Sequence, residues 1–153
     1  MRYFALAALP LLASVIALTS CGPKPTTLED FPTRPLTLPS GQVIRVETMI
    51  DNLDLLRGLM FRTTLAPDRG MLFVHPKLGH YWYWMAQVLI PLDIIWLDSN
   101  RTIVEMVDNA QPCKTQASKC EHYGGKQLSA YALEIGAGMA NKYGLKLGDT
   151  LQW

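Results

Sequence analysis

No sign of charge dominates this chain: 14 Lys and Arg stand against 13 Asp and Glu, a net charge of +1 over 153 residues. That balance gives no electrostatic reason to expect nucleic acid, whose binders carry basic faces. Glycine (11) and proline (10) are too few for a low-complexity chain, and 49% hydrophobic residues exclude a disordered one. Neither Gly-x-Ser-x-Gly nor His-Glu-x-x-His occurs, and no internal repeat is visible. The length leaves little room for a second core, so one folded domain is expected.

What is present begins with an address. Arg2 is the only charge in residues 1–20, and an apolar run follows from Tyr3 to Leu18, broken only by Pro10 and Ser14. The run is short for a membrane span and leads at once into a loop-like segment, so it reads as a signal peptide. Its exit, Leu18-Thr19-Ser20-Cys21, resembles the lipobox of bacterial lipoproteins, in which the cysteine thiol carries a diacylglycerol. Several acyl chains at Cys21 would give stable anchoring where one would not. The expectation is a lipoprotein exported to the cell envelope and held on a membrane through Cys21. Gly22 after it resembles lipoproteins sent to the outer membrane of Gram-negative cells. An ordinary soluble secreted protein is the rival.

Residues 21–40 are polar and carry Pro23, Pro25, Pro32, Pro35 and Pro39. Such a stretch favours extended conformations and buries little, so it reads as a tether, with Leu36-Thr37-Leu38 as its one strand-like piece. A single β-rich domain is expected over 41–153. Val43, Ile44 and Val46 alternate with polar neighbours, and Met71–Val74, Tyr81–Met85, Ile94–Leu97, Thr102–Val107 and Ala130–Ile135 have strand chemistry. Asp51 can cap a short helix whose apolar face is Leu53, Leu56 and Met60, with Gly58 weakening or ending it. A polar loop spans about 108–129. The pattern predicts a mainly β (α+β) domain, a small antiparallel β-barrel or rolled sheet with one or two short helices.

The central block is more specific than composition. Arg57-Gly58-Leu59-Met60-Phe61-Arg62, Gly70-Met71-Leu72-Phe73, Trp84-Met85, Ile90 to Asp98, Cys113, Cys120, Tyr123 and Gly144 to Asp149 occur in that order. Together they resemble domain of unknown function family 192, also called uncharacterised protein family 0127, over about residues 41–153. The resemblance implies a fold and an envelope setting but no activity. It also marks a departure: the family's basic residue, Asn and Thr after the Trp-Met pair are Ala86, Gln87 and Val88 here.

Cys113 and Cys120 close a small loop of an exported chain, and a structural disulfide is the expected state. A redox pair is the alternative; so is a soft metal site in which His122 and the methionines 60, 71 and 85 join the two cysteines. His80 and Asp93 could be drawn as an acid/base pair, although Pro91-Leu92-Asp93 reads better as a turn in which the carboxylate binds backbone amides. Tyr81, Trp82, Tyr83 and Trp84 form an aromatic run in which one alternate pair packs the core and the other is free to line a groove. Around it, Arg62, Tyr83, Trp84, Gln87 and Asp93 are the candidate binding residues. The leading reading is a non-enzymatic binding module for an envelope ligand or partner, without a cofactor; a hydrolase using Asp93 or His80 and a metal-handling lipoprotein are the alternatives.

Overall fold

The computed structural model describes residues 32–153, so the expected signal peptide and Cys21 lie outside the described residues. Eight strands and two short helices follow in the order β1 (Thr33–Thr37), β2 (Val43–Met49), α1 (Asn52–Arg57), β3 (Arg69–Gly79), β4 (Trp82–Trp84), β5 (Leu92–Leu97), β6 (Ile103–Ala110), β7 (His122–Gly124), β8 (Ser129–Gly136) and α2 (Met139–Lys142). Six strands form one sheet in the order β1-β2-β3-β8-β5-β6, while β4 and β7 make a separate two-stranded ribbon. Among the described residues only β2 and β3 run parallel; a parallel pair needs a crossover, and the segment containing α1 provides it.

The expected mainly β domain is therefore present, as a rolled sheet and not as a closed barrel. β1 and β6 stay at opposite edges, and the chain's last residues bridge them at one end. Thr37 exchanges both backbone hydrogen bonds with Gln152 (2.7 and 3.0 Å), and Thr102 bridges to Thr150. Arg101 ties this corner down by donating to the Trp153 carbonyl at 2.8 Å.

Two sequence expectations need correction. The tether expected to run to residue 40 gives way to a strand at Thr33, because Leu36 is fully buried and anchors the segment on the sheet. Pro35 is tolerated there since β1 is an edge strand. The helix is the second. Asp51 takes the N-cap position, but α1 stops after Arg57, with Gly58 in the left-handed region at φ 46°. The helical spacing therefore cannot be carried through to Met60. Leu53 and Leu56 end 80% and 62% exposed, and Leu55 and Leu59 pack inward instead.

Strand alternation sorts the core onto two faces of the sheet. One face is aliphatic: Ile44, Val46, Leu72, Ile95, Leu133 and Ile135 pack with Ala140 and Leu145 from the α2 region. The other is built from Met49, Met71, Phe73, Ile94 and Trp96, covered by Leu59, Met85 and Val88. Every residue of β5 is buried, so that strand is enclosed on both sides. Cys113 and Cys120 are joined in the expected disulfide inside the polar loop, which also carries β7.

Candidate functional site

The β4–β7 ribbon lies against the Met/Phe/Trp face of the sheet. Two contacts fix it there. Trp96 Nε1 donates to the Tyr81 carbonyl at 2.7 Å. Gly124 offers no side chain to the Trp96 ring, and a Cβ built there would fall 2.2 Å from Trp96 Cζ2. Only glycine leaves room for that approach, at a φ of 69°.

Held this way, the ribbon and α1 form the two walls of an open groove of about 500 Å³. Tyr81, Trp82, Tyr83 and Trp84 all line it, together with Leu55, Leu56 and His75. The rings brace one another. His75 stacks on Tyr81 with centroids 3.6 Å apart, Trp82 stacks on His122 at 3.9 Å, and Tyr83 sets its edge against Phe73 at 5.2 Å. The expected division of the run holds only in part: Tyr83 packs inward on Phe73 and Trp96, yet it and both tryptophans face the same groove. The wall is preformed and apolar, as in sites that take ring-shaped ligands.

Beneath α1 the groove adjoins a second cavity of about 40 Å³, sharing Leu55, Leu56, Tyr83 and Trp84 with it. Its remaining wall includes Gly58, Leu59, Met60, Phe73, Val88 and Glu134. Glu134 is buried, and its Oε2 finds no hydrogen-bond partner among the described residues. Burial raises its carboxyl from the ordinary value of 4.5 to about 8. Burial also lowers His75 to about 4, and burial together with the nearby Glu134 carboxyl pushes the Tyr83 phenol well above its usual range. At neutral pH His75 is therefore an uncharged ring, with Nε2 3.4 Å from the Tyr83 hydroxyl.

Of the candidate binding residues, Tyr83 and Trp84 meet in the groove. Arg62 forms a two-pronged ion pair with buried Glu47, at 2.6 and 2.7 Å. Gln87 is exposed in the left-handed region, where its carbonyl accepts from the Phe61 amide at 2.9 Å. Asp93 is buried and accepts from the amides of Asn109, Gly138 and Ala140 at 2.9, 3.1 and 2.8 Å. His80 contacts the Gly125 carbonyl instead, so the acid/base pair drawn from sequence does not assemble among the described residues. The disulfide removes both thiolates from a soft metal site, and Met71 and Met85 are core residues. Among the described residues no three His, Cys, Asp or Glu side chains gather as a metal site. Glu134 is not among the candidate site residues that the sequence offers. A lone charge inside Ala130-Tyr131-Ala132-Leu133-Glu134-Ile135 was the available signal, since an otherwise apolar strand has no cheap place for a carboxylate.

The profile of domain of unknown function family 192, described as "Uncharacterized ACR", matches residues 36–153. The chain belongs to this family. A solved structure from Novosphingobium aromaticivorans, of unknown function, is similar at 29% identity with a TM-score of 0.72, covering 92% of this chain and 99% of that one. A second, from Sinorhizobium meliloti and described as a candidate transcription regulator, is 32% identical with a TM-score of 0.68, covering 77% of this chain and 89% of that one. A search of curated proteins finds no match.

Proposed function

We propose that this family member is a lipid-anchored cell-envelope protein whose work is non-covalent binding of a small ligand in the groove between α1 and the β4–β7 ribbon. One observation carries the binding reading: four consecutive aromatic residues line a preformed groove of about 500 Å³. A soluble protein gains nothing in stability by leaving such a wall open, and Trp82 is 55% exposed. The envelope address rests on Leu18-Thr19-Ser20-Cys21, and the Cys113–Cys120 bridge agrees with an oxidising compartment.

Catalysis has one observation in its favour, the raised carboxyl of Glu134 in a cleft. That carboxyl shares its small cavity with Leu59, Met60, Phe73 and Val88, and among the described residues no serine, threonine or cysteine lines that cavity to act as a nucleophile. Binding is the better use of such a site. Balanced charge gives no support to a phosphate-binding role of the kind a transcription regulator needs.

Crystals soaked with small aromatic fragments test the binding reading: density between α1 and β4 is expected, and fragments that ignore the groove at saturation would contradict it. Membrane fractionation tests the address. Cys21→Ala is expected to release the protein from membranes, and continued detergent-only extraction would sink the lipid anchor.

A further inference from the structure

We infer that the groove takes an uncharged ligand with an apolar ring body and a single hydrogen-bonding end group, such as a hydroxyl or primary amide, which passes beneath α1 and pairs with the carboxyl of Glu134. This rests on the groove being a binding site and adds the class of ligand. The two cavities adjoin, one broad and apolar, the other of about 40 Å³, room for an end group and not for a second ring.

Gly58 forms part of the small cavity's wall. A Cβ there would lie 3.9 Å from Glu134 Oε2 and 3.1 Å from Phe73 Cζ, so the bare backbone keeps the approach open. The waiting oxygen is the second observation: Oε2 is buried and unpartnered among the described residues. A buried polar atom without a partner is unfavourable, and a ligand group that supplies one recovers that loss.

The surroundings select an uncharged end group. Met71 and Ile94 flank Glu134 on β3 and β5, and neither carries charge. From β4 comes the Tyr83 phenol, held protonated, while the neutral His75 lines the broad groove next to it. On α1, Arg57 is exposed at the small cavity's rim, and two strands away on the same face Glu47 is paired with Arg62. Burial pushes the Glu134 carboxyl up to about 8, so its protonated form dominates at neutral pH. A protonated carboxyl both donates and accepts, which suits a hydroxyl or amide. An ammonium would first have to displace that proton, and a carboxylate would leave water with only the exposed Arg57 at the rim as a counter-charge.

The test compares four probes with one ring and different ends: benzyl alcohol, toluene, benzylamine and benzoate. The readout is fluorine NMR of the purified full chain labelled with fluorotryptophan, in which Trp82 and Trp84 report the groove. At pH 6.5 benzyl alcohol is expected to shift both resonances saturably and to bind about fivefold more tightly than toluene, the gain from one net hydrogen bond. Both charged probes are expected to bind more weakly than the alcohol. Glu134→Gln should keep the alcohol's advantage, and Glu134→Leu should erase it. The comparison of benzyl alcohol with toluene in the native chain and in Glu134→Gln remains informative if the Leu variant does not fold. Toluene equal to benzyl alcohol would overturn the inference and leave the groove standing. Benzylamine binding most tightly, and lost in Glu134→Gln, would replace an uncharged ligand with a cation. No shift with any probe would overturn the groove reading itself.

Discussion

Asp93 and Glu134 sit on neighbouring strands, one residue apart in register, since Asp93 pairs with Ile135 and Ile94 with Glu134. Both are buried, but they face opposite sides of the sheet. On the aliphatic side Asp93 receives three backbone amides, two of them from the start of α2, and so organises the turn that packs Ala140 and Leu145 against the sheet. On the aromatic side Glu134 meets a cavity. Two carboxyls with the same burial therefore differ in what surrounds them. One is consumed in building the domain, and the other is left with an open valence toward a groove. Burial alone does not identify a functional carboxyl; an unmet hydrogen-bonding demand at a cavity does.

That contrast can be broken most forcefully at Asp93. Asp93→Ala strands three amides, and a loss of about 4 kcal/mol in chemical denaturation is expected. A change below about 1 kcal/mol would mean the amides find other partners, and the two carboxyls would no longer differ. Glu134 should behave in the opposite way. Its carboxyl keeps its proton in the folded chain up to pH 8 or so and loses it near 4.5 when unfolded. The folded state thus binds the extra proton between those values, and the native chain loses stability as pH rises through that window. Relative to Glu134→Gln, the native chain is expected to weaken by on the order of 3 kcal/mol between pH 5 and 8, and parallel stability–pH curves would contradict it.

Smaller effects sharpen the comparison by testing the walls. Cys113→Ser opens a short loop beside the β7 ribbon and should cost about 2–3 kcal/mol in the chain-entropy model, with Cys120 becoming a titratable thiol. An unchanged melting temperature would show that the bridge adds no order. Glu47→Ala leaves Arg62 without its two-pronged partner and is expected to cost about 2 kcal/mol, less than a fully buried pair because Arg62 keeps 15% exposure. If the double variant with Arg62→Ala is no more stable than the single, the pair is not what holds that segment.

Much of the sheet was legible because strand chemistry is local. Tyr81–Met85, Ile94–Leu97 and Ala130–Ile135 each appear as strands near the expected place. β1 was hidden by its composition: five prolines from 23 to 39 outweigh one Leu36, and what orders Thr33–Thr37 is pairing with β2, a contact no local window contains. The buried face of α1 was misassigned for a related reason, since the turn at Gly58 swings Leu59 inward and ends the helical period. At the site, Tyr83 and Trp84 were visible as an aromatic run, and Asp93 as an amide-binding turn carboxylate. Glu134 was not, because a charge in a strand interior looks the same in sequence whether amides satisfy it or a cavity faces it. Arg62 was placed near a ligand for want of its true partner, Glu47, fifteen residues earlier.

The most direct test of the account is the titration of Glu134 itself, followed by carbon-13 NMR of its side-chain carboxyl, with Glu134→Gln identifying the resonance. A midpoint near 8 is expected, the mark of a dry carboxyl whose Oε2 no group among the described residues has satisfied. A midpoint near the ordinary 4.5 would show that water or a charged partner already reaches Oε2, and the case for a ligand completing it would fall.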